Sequence, residues 1–212
     1  KYTGSYDKQS AKKALKENTK ALREIQEMFY ADDRYSLLII LQASDAAGKD
    51  GAIRHVMGGI NPQGCRVHSF KSPSKNELEH DFMWRHYKAL PERGMIEIFN
   101  RSYYENVLVT KVHPGYVLGE RIPGISKLED VNDEFWTSRY NRINDFENHI
   151  HEAGTRIVKF FLNVSKEEQK NRFLDRLNTP EKHWKFSTGD LKERRYWDKY
   201  RNAFEEMINR TN

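Results

Sequence analysis

The segment Tyr35-Ser-Leu-Leu-Ile-Ile-Leu-Gln-Ala43 runs without a break into Ser44-Asp-Ala-Ala-Gly-Lys-Asp-Gly51, and this junction constrains the fold more than any other part of the chain. A short, continuous Leu/Ile run with no polar alternation reads as a strand covered on both faces, as in a parallel sheet. Similar runs recur at 65–70, 95–99 and 156–162, separated by segments with helical spacing. Parallel strands need long crossovers, usually helices, so the expected class is α/β with a parallel sheet. The 212 residues show no compositional seam and suit a single domain spanning 1–212.

Helices are predicted on both sides of these strands. Ala11, Leu15, Leu22, Ile25 and Phe29 predict a helix over 10–30 with one buried face. Ser74 and Glu77 have capping-box spacing, which predicts a helix from there to about Tyr87. A loop with Pro114, Gly115, Gly119, Pro123 and Gly124 leads to a helix whose Trp136, Tyr140, Ile143, Phe146 and Ile150 share a face, with Gly154 as its stop. Ser165 and Glu168 predict a second capping box. A last helix, from about Asp190, should bury Leu191, Trp197, Tyr200, Phe204 and Ile208.

Composition narrows the functional classes. No apolar run approaches the roughly 18 residues of a membrane span, and no signal-like apolar segment opens the chain. The single Cys65 excludes an intrachain disulfide and a Cys-rich metal site, and together these features predict a cytoplasmic protein without membrane partners. The eight histidines show no metal-binding spacing and read as structural or surface residues. A net charge of +5 suits an anionic ligand such as nucleotide, polyphosphate or nucleic acid. A basic nucleic-acid-binding domain is one reading of that charge, but no recognised nucleic-acid-binding signature accompanies it, and nucleic acid is not the expected partner.

The chemistry is concentrated in four places. After the first strand, small residues, a lysine and an apparent helix from Ala52 describe a phosphate cradle: backbone amides over Ala46, Ala47, Gly48, Asp50 and Gly51 face the anion and Lys49 neutralises it. The match to G-x-x-x-x-G-K-[ST] is incomplete, because Ala43 stands for the first glycine and Asp50 for the hydroxyl residue; an ordinary strand-to-helix turn is the alternative. Asp45, inside the loop, is the expected Mg²⁺ ligand, unless its carboxylate merely caps loop amides. At the end of the third strand, Asn100 can position metal or water and Arg101 can clamp a phosphoryl oxygen, unless Arg101 only pairs with Glu105. Finally, Arg172 and Arg176 share a helix face, and Pro180 precedes a loop with Lys182, His183 and Lys185; they read as a basic lid or as a solvated surface.

Asp45-Ala-Ala-Gly-Lys-Asp-Gly51, Asn61-Pro-Gln-Gly64, Phe70-Lys-Ser-Pro-Ser74, Phe99-Asn-Arg-Ser-Tyr-Tyr-Glu105 and Trp184-Lys-Phe186 together resemble the polyphosphate kinase 2 family, over nearly the whole chain from about Lys8. The resemblance implies a three-layer, thymidylate-kinase-like P-loop fold with a helical lid over about 165–200. It also implies Mg²⁺-dependent, reversible phosphoryl transfer between inorganic polyphosphate and nucleotides, by a dimer or tetramer. In its terms Asp45 and Lys49 fall on the Walker A metal-binding and phosphate-binding positions, Arg101 on the Walker B arginine and Arg172 on a lid arginine that contacts phosphates. Asn100 stands where other members carry aspartate, and Phe-Asn-Arg-Ser-Tyr-Tyr-Glu resembles the class III branch, whose members phosphorylate AMP as well as ADP. Asn100 and Glu105 join Asp45 as candidate metal ligands; Lys71, Arg176 and Lys185 join the loop as candidate phosphate-binding residues. The expected function is a polyphosphate-dependent kinase that converts AMP and ADP to ADP and ATP. An ATP-dependent nucleoside monophosphate kinase is the alternative within the class. A non-catalytic P-loop scaffold is a further one, for which loss of Lys49 would be the sign.

Overall fold

In the computed structural model, which describes residues 5–185 and 187–211 without the side chain of Lys185, four strands form one parallel sheet. They are β1 (Ser36–Gln42), β2 (Cys65–Ser69), β3 (Ile96–Asn100) and β4 (Thr155–Phe161), in the spatial order β2-β3-β1-β4. The register sets Ile39 of β1 opposite Ile98 on one side and Val158 on the other. The apolar run 37–41 therefore lies inside the sheet, between β3 and β4.

The connecting helices are α1 (Lys8–Asp32), α2 (Lys49–Met57), α3 (Trp84–Tyr87), α4 (Glu105–Val112), α5 (Gly115–Leu118), α6 (Asp133–Glu152), α7 (Lys166–Asn178), α8 (Thr188–Glu193) and α9 (Trp197–Arg210). On one face of the sheet, Leu38, Ile40 and Phe99 pack with Tyr103, Val107 and Leu108 near and on α4, Tyr140 and Ile143 on α6, and Phe204 on α9. On the other, Leu41, Ile96 and Ile98 pack with Phe29 of α1 and with Ile53 and Met57 of α2. Burying each such side chain contributes about 1.5–3 kcal/mol relative to leaving it exposed. Cys65 is part of this second cluster, and burial pushes its thiol up to about 11, so it packs as a neutral group.

Three expected helices differ from their sequence patterns. In α1, Leu15 and Ile25 stay exposed; the helix is fastened instead by polar bonds, with Arg23 donating to Gly59 O (2.7 Å) and the buried Gln26 side chain bonded to both Asn61 O and Asn61 N (2.8 Å each). The Ser74/Glu77 capping box does form, through Ser74 N to Glu77 Oε2 at 2.7 Å and Glu77 N to Ser74 Oγ at 3.3 Å. It opens only a 3₁₀ turn over Glu77–Glu79, because His80 is extended and Asp81 starts a new turn by accepting from Met83 N. The last helical segment is divided into α8, a 3₁₀ turn at Arg194–Tyr196 and α9. Its buried residues are Ala203, Phe204 and Met207, while Leu191 and Ile208 are exposed.

The turn into β3 depends on Gly94, whose φ is +73° and whose missing Cβ would lie 3.0 Å from Tyr30 O. Gly94→Ala should destabilise the fold by about 1–2 kcal/mol, the cost of a left-handed conformation for an L side chain. Urea unfolding should read this as a lower midpoint with an unchanged slope; an unchanged midpoint would show that the turn relaxes freely.

Candidate active site

β1 and β3 end side by side, and their carboxyl ends carry the loop and the Arg101 turn into one crevice, as expected of a parallel sheet. Backbone Arg101 N donates to Leu41 O at 3.1 Å, which ties the two ends together. The loop after β1 turns through Ala46 (φ +59°) and Gly48 (φ +99°) into α2, which starts at Lys49, three residues before the Ala52 expected from sequence. Gly48 has no side chain with which to cap the first-turn amides. The amides at the start of a helix and its dipole favour an anion.

Lys49 is buried, with Nζ 3.1 Å from Ala43 O. Burial and then the nearby Arg101 push its pKa down, against the pull of Glu105, Asp45 and Asp50. Arg101, which adopts a left-handed φ of +66°, bridges two carboxylates: Nη2 to Asp45 Oδ1 at 2.6 Å and Nη1 to Glu105 Oε2 at 3.1 Å. Burial opposes its charge, but Glu105 and Asp45 outweigh burial and raise its pKa above the ordinary arginine value. The pairing with Glu105 and the position in the crevice, weighed above as alternatives, are thus both present.

Asp45 and Glu105 place two negative charges against one guanidinium and present only oxygen donors. That set suits a hard divalent ion, which takes one or two carboxylates and completes its shell with phosphate oxygens. Among the described residues, no group of three or more His, Cys, Asp or Glu side chains is arranged to hold a metal by itself. Asn100 makes other contacts than those with Asp45: its amide donates to Asp50 Oδ1 at 2.9 Å and to Ser69 Oγ at 3.4 Å. Turned this way, the NH₂ group binds carboxylate and hydroxyl oxygens, leaving only Oδ1 for a metal.

Helices α7 and α8 lie over the loop. Arg172 donates to Ala47 O (2.7 Å) and Ala46 O (3.1 Å) and is held by Glu168 at 2.9 Å. Glu168 thereby forms only half of the expected capping box, because its side chain serves Arg172 while its backbone N bonds to Ser165 Oγ. Arg176 pairs with Asp190 at 3.3 Å, a different partner from the loop carbonyls that Arg172 meets. Lys182 pairs with Asp175 and the His183 ring with Leu177 O. The Lys185 side chain and Phe186 lie outside the described residues, and Lys71 is exposed, with its carbonyl accepting from Arg85.

Sequence reasoning missed several participants. Gln42, the buried last residue of β1, donates to Glu105 Oε1 at 2.8 Å, and Gln169 donates to Asp45 O at 3.0 Å. Asp190 faces the site as well: burial and then Asp45 raise its pKa. With α7 to α9 in place, the cavity beside Ser44, Asp45, Arg101, Glu105 and Tyr200 holds only about 50 Å³. A larger groove of about 870 Å³, beside Phe82, Glu120, Pro123 and Arg139, includes none of the loop residues. Gln42 carried a signal, a polar residue ending an apolar strand. The others lie more than a hundred residues from the loop and carried none.

Known proteins are similar to this chain along nearly its whole length. The model of the family described as polyphosphate kinase 2 (PPK2) matches residues 5–212. The ADP-polyphosphate phosphotransferase of Rhodopseudomonas palustris is 53% identical over 197 residues, covering 93% of this chain and 67% of that protein. The AMP/ADP-polyphosphate phosphotransferase of Meiothermus ruber is 44% identical over 204 residues, covering 96% and 71%. A crystal structure of polyphosphate kinase 2 from Arthrobacter aurescens TC1 superposes with a TM-score of 0.88 at 42% identity, over 100% of this chain and 70% of that one.

Proposed function

The chain belongs to the polyphosphate kinase 2 family, and on that premise we propose that it works as a polyphosphate-dependent nucleotide kinase at the crevice between the ends of β1 and β3. It is a phosphotransferase of the polyphosphate:nucleotide type, in keeping with the names of its relatives. The observation that carries the site assignment is the Asp45–Arg101–Glu105 bridge at the mouth of a loop with a buried lysine. The acceptors are AMP and ADP, as in the name of the Meiothermus ruber relative and in line with the Phe-Asn-Arg sequence at 99–101.

In the forward reaction the terminal P–O bond of polyphosphate breaks, and a new bond forms to an oxygen of the nucleotide's last phosphate, so the polymer shortens by one unit. Such transfer needs positioning and charge stabilisation rather than a covalent enzyme intermediate. The amides over 46–51 and Lys49 bind phosphate oxygens. Arg101 offsets the charge that spreads over the transferring group, and to reach it must loosen from Asp45 or Glu105. Asp45, with Glu105, would hold Mg²⁺, which would supply charge neutralisation to the phosphates. Helices α7 and α8 act as the lid, with Arg172 exchanging the carbonyls of Ala46 and Ala47 for phosphate. The cytosolic location and the dimer or tetramer implied by the family resemblance belong to the same reading.

Two experiments probe this account. AMP offered with polyphosphate and Mg²⁺, in the absence of ATP, should yield ADP and then ATP; transfer that requires ATP as donor would identify a nucleoside monophosphate kinase instead. Asp45→Asn should raise the Mg²⁺ concentration needed for half-maximal rate by about tenfold, the scale of one lost charge at a divalent site, and Asp50→Asn by much less. Asp50 sits in the first turn of α2 with Asn100 bonded to it, where its charge suits the helix dipole. The reverse order in a magnesium titration would move the metal to Asp50.

A further inference from the structure

Behind the Arg101 turn lies a buried carboxylate for which the proposed mechanism has no use. Arg101 holds a left-handed conformation that a non-glycine residue keeps only when its surroundings fix it. On the β1 side the turn is tied by Arg101 N to Leu41 O and by Ser102 Oγ to Gln42 Oε1 at 3.4 Å. On the far side the fixing comes from α6. Tyr103 and Tyr104, both almost fully buried, donate their hydroxyls to the same oxygen of Glu147, Oε1, at 2.6 and 2.5 Å. The second oxygen, Oε2, accepts from Lys159 of β4 at 2.9 Å, and Lys159 also donates to Tyr104 Oη at 3.2 Å and to Thr211 O.

A carboxylate is a costly way to fill a core, since two phenylalanines and an apolar residue would pack the same space without desolvating a charge. What the network adds is direction. A cluster whose members bond to one another has one arrangement, and this one grips two of the three residues between Arg101 and Glu105 from a helix more than forty residues away. We propose that Glu147 is a positioning residue for phosphoryl transfer: by holding the Tyr103 and Tyr104 hydroxyls it fixes the 101–105 turn, and so keeps the Arg101 guanidinium aimed at the mouth of the loop. The proposal rests on the reading of Arg101 as the group that meets the transferring phosphoryl.

The test compares steady-state ATP formation from ADP and polyphosphate, per folded protein, in the wild type, Glu147→Leu, Glu147→Gln and the double variant Tyr103→Phe/Tyr104→Phe. Ile150→Val, which removes core volume from α6 without touching the network, is the control for a purely structural lesion. Glu147→Leu should lower kcat by about tenfold or more while the KM for ADP changes by less than about threefold, because misaim costs the transition state rather than binding. Glu147→Gln keeps a carbonyl oxygen for both hydroxyls but turns its NH₂ toward the Lys159 ammonium, so it should recover part of the kcat lost in the leucine variant. The double phenylalanine variant loses the hydroxyls and no core volume; it should lose kcat in the same sense, and it decides the matter if Glu147→Leu does not fold. The positioning role is overturned if kcat survives in the leucine and double phenylalanine variants, or if their loss is no larger than in Ile150→Val. A wild type without polyphosphate-dependent transfer overturns the reading of the site, and this role with it; an active wild type with unaffected variants overturns the positioning role alone.

Discussion

Arg101→Ala should lower kcat by about 10³-fold, the lower end of what an arginine supplies to a transferring phosphoryl group. The size follows from what surrounds it. Arg101 is the positive partner of two carboxylates, at 2.6 Å from Asp45 and 3.1 Å from Glu105, and its truncation leaves those negative charges facing an incoming polyanion. Its pKa, raised by the same carboxylates, keeps it charged at any pH at which the protein is assayed. Arg101→Lys should recover little, roughly a factor of ten, because a single ammonium cannot bridge two carboxylates as a planar fork does. Circular dichroism and thermal unfolding separate a catalytic loss from an unfolded protein. An Arg101→Ala variant that folds and keeps its rate to within tenfold would remove Arg101 from the reaction.

The second large effect concerns Lys49. Replacing it with methionine, which keeps most of the volume and removes the charge, should reduce kcat/KM for polyphosphate by about 10²-fold, the scale of one lost electrostatic stabiliser. Stability should move in the other direction. Burial lowers the pKa of this lysine, which means the fold bears a cost to keep it charged, and the acceptor it meets, the carbonyl of Ala43, is uncharged. Lys49→Met should therefore melt at the same temperature as the wild type or above it, the pattern of a residue kept for function. A variant that loses both activity and stability would mean that Lys49 serves the fold first.

How much of this was legible in the sequence depends on the range over which each feature acts. The inner strands β1 and β3 could be read because a doubly covered strand writes its burial into consecutive residues, as Leu37 to Leu41 do; β2 and β4 also carry apolar runs, but they are the sheet's edges, and Val67, Val158 and Phe160 stay exposed there. Asp45, Lys49 and Arg101 could be singled out because each lies beyond the carboxyl end of an inner strand, where parallel sheets expose their chemistry. That Arg101 joins Asp45 and Glu105 at once could not be read, since the alternatives differ only in distances between segments 56 residues apart. The same holds for Gln169 and Glu147, which act on the loop and on the turn from other helices. The periodicity of α1 misled for a different reason: apolar spacing shows which side of a helix can be buried, not that something covers it, and Leu15 and Ile25 remain exposed. Arg172 and Arg176 share a helix face, yet one meets backbone carbonyls and the other a carboxylate, because the partner is set by what α8 and the loop bring opposite.

The central claim is that polyphosphate donates phosphoryl groups to a nucleotide at this loop, and its most direct test is ATP formation from ADP, polyphosphate and Mg²⁺ by the wild type, Lys49→Met and Arg101→Ala. The account predicts ATP made in step with shortening of the polymer, none without polyphosphate, and rates lower by about 10² and 10³ in the two variants. ATP formed equally well without polyphosphate, or at wild-type rates in both folded variants, would contradict it.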